Sequence, residues 1–184
     1  MVDYVNHGVG SDKTANCLMC SLGGVLGMNT KQVQTMMRAT GQSDDAVSKA
    51  FGHGSLNADA QLQAVINSTI GLVQGHSELK GYQFGLWNNF KNHDEVTAYM
   101  KKTNPGTRFC VWGYETDEMV GLGAHWNYAE NTGGGIEFRD YQYNVNAGTP
   151  PKVGSHFFAP MGSGEDDEDY NSFIVLYFGT ARSG

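Results

Sequence analysis

The 184 residues, 40% of them hydrophobic, suffice to bury a core without covalent staples, and a single domain over 1–184 is the expectation. The net charge of −7 argues against nucleic acid or an anionic membrane surface as partner, and no apolar run approaches the ~20 residues that span a bilayer. Three cysteines, an odd number, make no disulfide framework, so a reducing compartment suits the working state.

The first residues, Met1 to Gly8, carry neither the basic nor the apolar region of a signal peptide, and Met1 is equally compatible with a domain excised from a longer protein. An irregular lead-in is expected through residue 15, with turn chemistry at Gly8-Val9-Gly10-Ser11-Asp12. Asn16 then suits a helix N-cap, its side-chain oxygen taking an orphan amide proton of the first turn. Cys17 falls at the first helical position, where the positive end of the helix dipole favours a thiolate. Leu18, Leu22, Val25 and Leu26 recur at helical spacing behind it, up to a stop near Gly27. A cysteine so placed is suited to nucleophilic chemistry, although Cys17 and Cys20 read equally as small core residues.

A second helix follows Thr30, with Val33, Met36 and Met37 on one face and Gly41 as its stop. Ser43-Asp44-Asp45 caps a short helix through Val47, Ala50 and Phe51. Asn57 caps another, in which Leu62, Val65, Ile66 and Thr69 keep the helical pattern. After Gly71 the character changes. Residues 82–87 suit an edge strand or an irregular loop. Asn92-His93-Asp94-Glu95 resembles a capping box opening a helix with Val96, Tyr99 and Met100 inward and Lys101-Lys102 near its end.

Asn104-Pro105-Gly106 is a turn, and strands are expected at 107–114, 124–130, 136–142 and 173–178. The unbroken apolar run of the last suggests a central position in a sheet. A Gly/Pro-rich loop surrounds Pro150-Pro151, and the acidic run 165–169 suits a solvated loop without a catalytic role. Helices first and antiparallel strands later give an α+β class.

The turn Asn131-Thr132-Gly133-Gly134-Gly135 joins two of these strands, and its register decides whether His125 meets Asp140. A loop of 131–134 sets His125 directly opposite Asp140, whereas a loop of 131–135 opposes Asp140 with Trp126. The first is favoured, because Asp140 shares the apolar face of Ile136 and Phe138, with His125, Asn127 and Ala129 as the matching face. Glu130 then joins Glu137 and Arg139 on the other face, where Trp126 needs its own cover. Opposed Cβ atoms lie about 5 Å apart, so a carboxylate can orient an imidazole as a general base.

Three islands spread over 16–142, Asn16-Cys17-x-x-Cys20, Ala124-His125-Trp126-Asn127 and Phe138-Arg139-Asp140-Tyr141-Gln142, resemble the papain-fold toxin domains. Those are bacterial effector and polymorphic-toxin modules, several of them glutamine deamidases. The family pattern is an Asn-Cys step on a helix, a His-Trp at a strand start and an Asp-x-Gln closing the next strand. The resemblance implies a papain-like fold, Cys17 as nucleophile, His125 as base and Asp140 as its orienter. Asn16 and Gln142 are carried over as supporting positions. It also implies a secreted effector acting on a protein in a target-cell cytosol, with a cognate immunity protein or secretion chaperone as further partners. The long helical insertion between cysteine and histidine departs from the pattern, so substrate recognition is not carried over.

The chemistry implied is attack of the Cys17 thiolate on a carboxamide carbon, with the Cys17 backbone N–H facing the oxyanion. It calls for no cofactor or metal. Deamidase, peptidase, peptidoglycan amidase and acyl transferase all remain open at this point. So do two readings of another class, a papain-like binding module without activity and a zinc half-site built on Cys17 and Cys20, against which the absence of a second Cys pair argues. Cys110 falls within a strand. His7, His53, His76 and His93 suit surface positions, and His156 is an alternative base.

Overall fold

The computed structural model describes residues 3–8, 16–39, 82–114, 124–154 and 172–180. The helices expected within 43–69, Gly41, His53, His76, His156 and the acidic run 165–169 lie outside the described residues. The architecture is α+β: a six-stranded antiparallel sheet with helices on both faces. Its strands are β1 (Tyr82–Phe90), β2 (Arg108–Tyr114), β3 (Ala124–Asn131), β4 (Ile136–Asp140), β5 (Lys152–Val153) and β6 (Ser172–Thr180). They lie in the order β1-β6-β2-β3-β4-β5, so β1 is the edge strand that residues 82–87 allowed, and the apolar β6 is interior.

Strict alternation divides the sheet into two apolar faces. Cys110, Trp112, Trp126, Tyr128, Ile174, Leu176 and Phe178 point toward α1 (Cys17–Leu26). Phe109, Val111, Ala129, Phe138, Phe173 and Val175 point toward α3 (His93–Met100). Trp126 gets its cover from this arrangement, stacked on Trp112 at 5.6 Å and only 4% exposed. Among the described residues no helix is long and apolar enough to cross a membrane.

α1 is nearly buried all round and ends at Gly27, whose φ of 67° is the left-handed conformation that closes a helix. Asn16 does not cap it: its φ is −130° and its side chain accepts nothing from the first turn. A side-chain cap contributes about 1 kcal/mol, whereas burial of Leu18 and Leu22 contributes roughly 2–3 kcal/mol each, so packing supplies most of what holds the helix to the sheet. α2 (Thr30–Ala39) follows with Val33 and Met36 buried, as its spacing predicts.

The capping box before α3 forms: Asn92 Oδ1 accepts from Glu95 N at 2.9 Å. Glu95 Oε2 reaches back one residue further than the usual box, to Lys91 N at 2.9 Å. Val96 and Met100, one turn apart, are the inward positions. Tyr99 falls between them and the solvent face; it is 39% exposed, with its ring edge-on to Phe90, and not inward as its apolar character suggested.

The β3–β4 register differs from both sequence-based alternatives. Asn131 pairs with Ile136, Glu130 with Glu137, Ala129 with Phe138 and Tyr128 with Arg139. The connecting loop is therefore 132–135, with Thr132 N donating to Gly135 O at 3.0 Å. Asn131 is drawn into the strand by the neighbouring turn: its backbone carbonyl accepts from Gly106 N at 2.7 Å and its Nδ2 donates to Thr103 O at 2.9 Å. β4 also stops at Asp140 instead of Gln142. The Asp140 side chain accepts from Gln142 N at 2.9 Å, an Asx turn that bends the chain into the 3-10 turn Tyr141–Tyr143.

Candidate active site

Three elements bring the sequence-derived residues together: the first turn of α1, the start of β3 and the end of β4. Ala129 pairs with Phe138 on the α3 face of the sheet, whereas His125 and Asp140 lie beyond the last β3–β4 pair. Continued past its last pair, the observed register opposes Asp140 with Asn127, so His125 meets Asp140 diagonally and not directly. Diagonal neighbours on one face are within reach of long side chains. The ladder itself ends at Tyr128 and Arg139, so His125 is not enclosed by β4 pairing. α1 packs over β3, β4 and the 3-10 turn at that end of the hairpin.

His125 Nε2 and Asp140 Oδ2 are 2.6 Å apart, with the carboxylate side chain 2% exposed and the imidazole side chain 16%. The second carboxylate oxygen, Oδ1, is fixed by the Gln142 N–H. With Nε2 engaged by Asp140, Nδ1 is the ring nitrogen left over, and Cys17 is the other group that acts on the ring. Burial, the largest single influence, pushes the His125 pKa down. Hydrogen bonds and charges from Asp140 and Cys17 together outweigh it and raise the value to about 10. The balance favours the charged form of the imidazole, held by the carboxylate.

The other thiols stand in contrast. Cys20 is 1% exposed, and burial first, then the charges of Cys17 and Asp140, push its thiol well above the ordinary value. Cys110, on β2, is raised by burial alone. Cys17, 6% exposed, is the cysteine that faces a base. No group of three His, Cys, Asp or Glu side chains able to hold a metal occurs among the described residues.

Asn16 and Gln142 sit at the site through unexpected contacts. Asn16 Nδ2 donates to Asn6 Oδ1 at 2.8 Å, its backbone carbonyl accepts from Cys20 N at 3.0 Å, and its Oδ1 is buried without a partner. Gln142 acts through its backbone, the N–H holding Asp140 and the carbonyl accepting from Asn6 Nδ2 at 2.7 Å. His7 stacks on Tyr4 at 3.9 Å, and His93 packs its ring against Phe138, so neither joins the Cys17 cluster. Two residues without a local signal complete the surroundings. Asn6, fully buried, lies in the stretch read as an irregular lead-in. Asn127, also fully buried, has neither amide atom hydrogen-bonded. No protein-family model matches this chain, and no curated protein matches it in sequence.

Proposed function

We propose that this chain is a thiol-dependent amide hydrolase of papain-like fold, a glutamine deamidase of the bacterial toxin and effector kind. The observation that carries the reading is the 2.6 Å contact of the Asp140 carboxylate with the His125 imidazole, on which Cys17 at the start of α1 also acts. A carboxylate fixed by one oxygen and orienting an imidazole with the other is the arrangement that holds a general acid–base in one tautomer.

In the proposed reaction, Cys17 Sγ, its proton passed to the His125 imidazole, adds to the carbon of a glutamine side-chain carboxamide. The oxyanion forms beside the Cys17 backbone N–H, where first-turn amides point outward along the helix dipole. The imidazolium of His125 gives its proton to the departing nitrogen, so ammonia leaves and a thioester remains. His125, now neutral, takes a proton from water. The hydroxide displaces the thiolate, and the carboxylic acid so formed gives its proton to the released ammonia, leaving glutamate, ammonium and the thiolate beside the imidazolium. Every proton is accounted for, and no metal or redox partner enters.

The cysteines are unpaired and buried, as befits action in the reducing cytosol of a target cell. The substrate is a protein of that cell, and an immunity protein or a secretion chaperone is the expected further partner. The test compares the masses of target-cell proteins after exposure to wild type and to Cys17→Ala. A gain of about one mass unit at a glutamine, absent with Cys17→Ala, supports the reading. Cleaved peptides instead would make the chain a peptidase, and identical spectra from both proteins would remove the enzymatic reading.

A further inference from the structure

We propose that Asn6 is a positioning residue that sets the Cys17–His125 geometry; the proposal rests on reading Cys17, His125 and Asp140 as the catalytic group. One planar amide is anchored at both ends. Asn6 Oδ1 accepts from Asn16 Nδ2 at 2.8 Å and from Gly8 N at 3.0 Å, and Asn6 Nδ2 donates to Gln142 O at 2.7 Å. Asn16 immediately precedes the nucleophile. Gln142 is the residue whose N–H holds the Asp140 carboxylate. The side chain thus ties the thiol-bearing helix start to the carboxylate that orients the base, two segments 10 and 136 residues away in sequence.

The backbone around Asn6 is itself fastened to the two sides. Asn6 N donates to Asn144 O at 2.9 Å, and Val5 N donates to Asn144 Oδ1 at 2.6 Å. On the helical side, Thr30 N donates to Val5 O at 2.9 Å, and Thr30 Oγ1 donates to Gly8 O at 3.1 Å. Residues 5–8 therefore run as a strap between the α1–α2 junction and the turn after β4.

This strap matters because α1 is seated by apolar packing, which holds a helix to a surface but fixes its axial position weakly. Asn16 supplies no cap that would define the helix start from within. At the other end Arg108 Nη1 binds Val25 O at 2.8 Å, so the N-terminal end depends on Asn6 for its directional tie. A shift of about 1 Å in reacting groups costs on the order of 10²-fold in rate. The position demands an amide: it offers an acceptor and a donor in one plane, whereas a carboxylate would set an acceptor against the Gln142 carbonyl.

The experiment follows alkylation of Cys17 by iodoacetamide in the full chain, at pH 7 and at pH 10, with site-resolved mass spectrometry. At pH 7 the reaction needs the imidazolium beside the thiol; at pH 10 an ordinary thiol ionises unaided. Wild type is expected to react at least ~10-fold faster at pH 7 than His125→Ala. Absence of that excess overturns the reading of the site, and the Asn6 proposal with it.

Given the excess, Asn6→Ala is expected to lose at least ~5-fold at pH 7 while staying within about twofold of wild type at pH 10. Wild-type rates at both pH values would overturn the role of Asn6 and leave the catalytic pair standing, and equal slowing at both would make Asn6 a purely structural residue. Asn16→Ala removes the other half of the same bond and decides the matter if Asn6→Ala does not fold. It should show the same pH 7 loss, and a wild-type rate overturns the proposal. If both single variants fold, the double variant should be no slower than the slower single one, as coupled partners require. Additive losses would count against a shared bond.

Discussion

His125 and Asp140 stand 15 residues apart in the chain and 2.6 Å apart in space, at Nε2 and Oδ2. They meet diagonally across a hairpin whose ladder has already ended, and the Asx turn at Asp140 aims the carboxylate. One oxygen makes the turn and the other holds the ring, so a change at Asp140 separates geometry from charge.

Asp140→Asn keeps the size of the side chain and an oxygen for the Gln142 N–H but removes the negative charge beside the imidazole. Turnover is expected to fall by about 10²-fold or more, because the imidazolium and its tautomer lose their partner. The folded-state titration of His125, followed by NMR, should move down from about 10. An unchanged His125 titration in Asp140→Asn would contradict the assigned pair.

The same pair makes stability depend on pH with a definite sign. The folded-state pKa of His125 is about 10, above the ordinary value of 6.5. Between those values the folded chain holds a proton that the unfolded chain releases, so stability falls as pH rises. The contribution is fully present below about pH 6.5 and lost as pH climbs through about 10, with a slope of at most ~1.4 kcal/mol per pH unit. Urea midpoints measured from pH 6 to pH 10 should decline in wild type more steeply than in His125→Gln. A parallel pair of curves would refute the raised value.

The three thiols should separate by reactivity. Cys20 and Cys110 are buried and their thiols are pushed up, so neither supplies thiolate near neutral pH. Under native conditions at pH 7, iodoacetamide is expected to modify Cys17 at least ~10-fold faster than either. Cys20→Ala should retain substantial turnover, whereas Cys17→Ala should abolish it with the thermal midpoint nearly unchanged. Faster labelling of Cys20 would exchange the two roles.

What the sequence disclosed follows the range of the interactions involved. The start of α1 was legible because Leu18, Leu22 and Val25 repeat at helical spacing and Gly27 closes the helix, all local signals. That His125 and Asp140 belong to the two strands of one hairpin was legible, because strand alternation and the Gly-rich turn are local signals. The register itself was not. It is set by Asn131, whose side chain bonds to Thr103, outside the hairpin. Asn16 fits a local capping rule, but the buried amide of Asn6 takes its side chain instead. Asn6 leaves no trace in its own neighbourhood, since its bond to Gln142 spans 136 residues.

Asn127 offers a test of what the site costs the fold. Its side chain is fully buried on the strand that carries His125, with no hydrogen bond at either amide atom. A buried polar group without partners costs about 1–3 kcal/mol, and an apolar replacement of similar shape removes that cost. Asn127→Leu is therefore expected to raise the thermal midpoint. A lower midpoint would mean that the amide is satisfied in solution.

Gly24 links the seat of the helix to the carboxylate. It lies in the middle of α1, where alanine is ordinarily the better helix former by up to about 1 kcal/mol. A Cβ there would stand 2.5 and 2.6 Å from Cε2 and Cδ2 of Tyr141 and 3.2 Å from Cδ2 of Tyr128. The Tyr141 ring cannot simply swing away, because it packs edge-on against Tyr128 at 5.3 Å and its hydroxyl accepts from Arg139 Nη1 at 3.4 Å. Overpacking of this kind costs about 1–3 kcal/mol, which outweighs the propensity gain, so Gly24→Ala should lower the thermal midpoint. Tyr141 directly follows Asp140 and opens the turn that aims its carboxylate, so turnover should fall as well. In a Tyr141→Ala background the two shortest contacts of the added methyl are gone and both losses should shrink, the coupling expected of touching residues. A Gly24→Ala protein more stable than wild type would show that the helix does not sit this close to the turn.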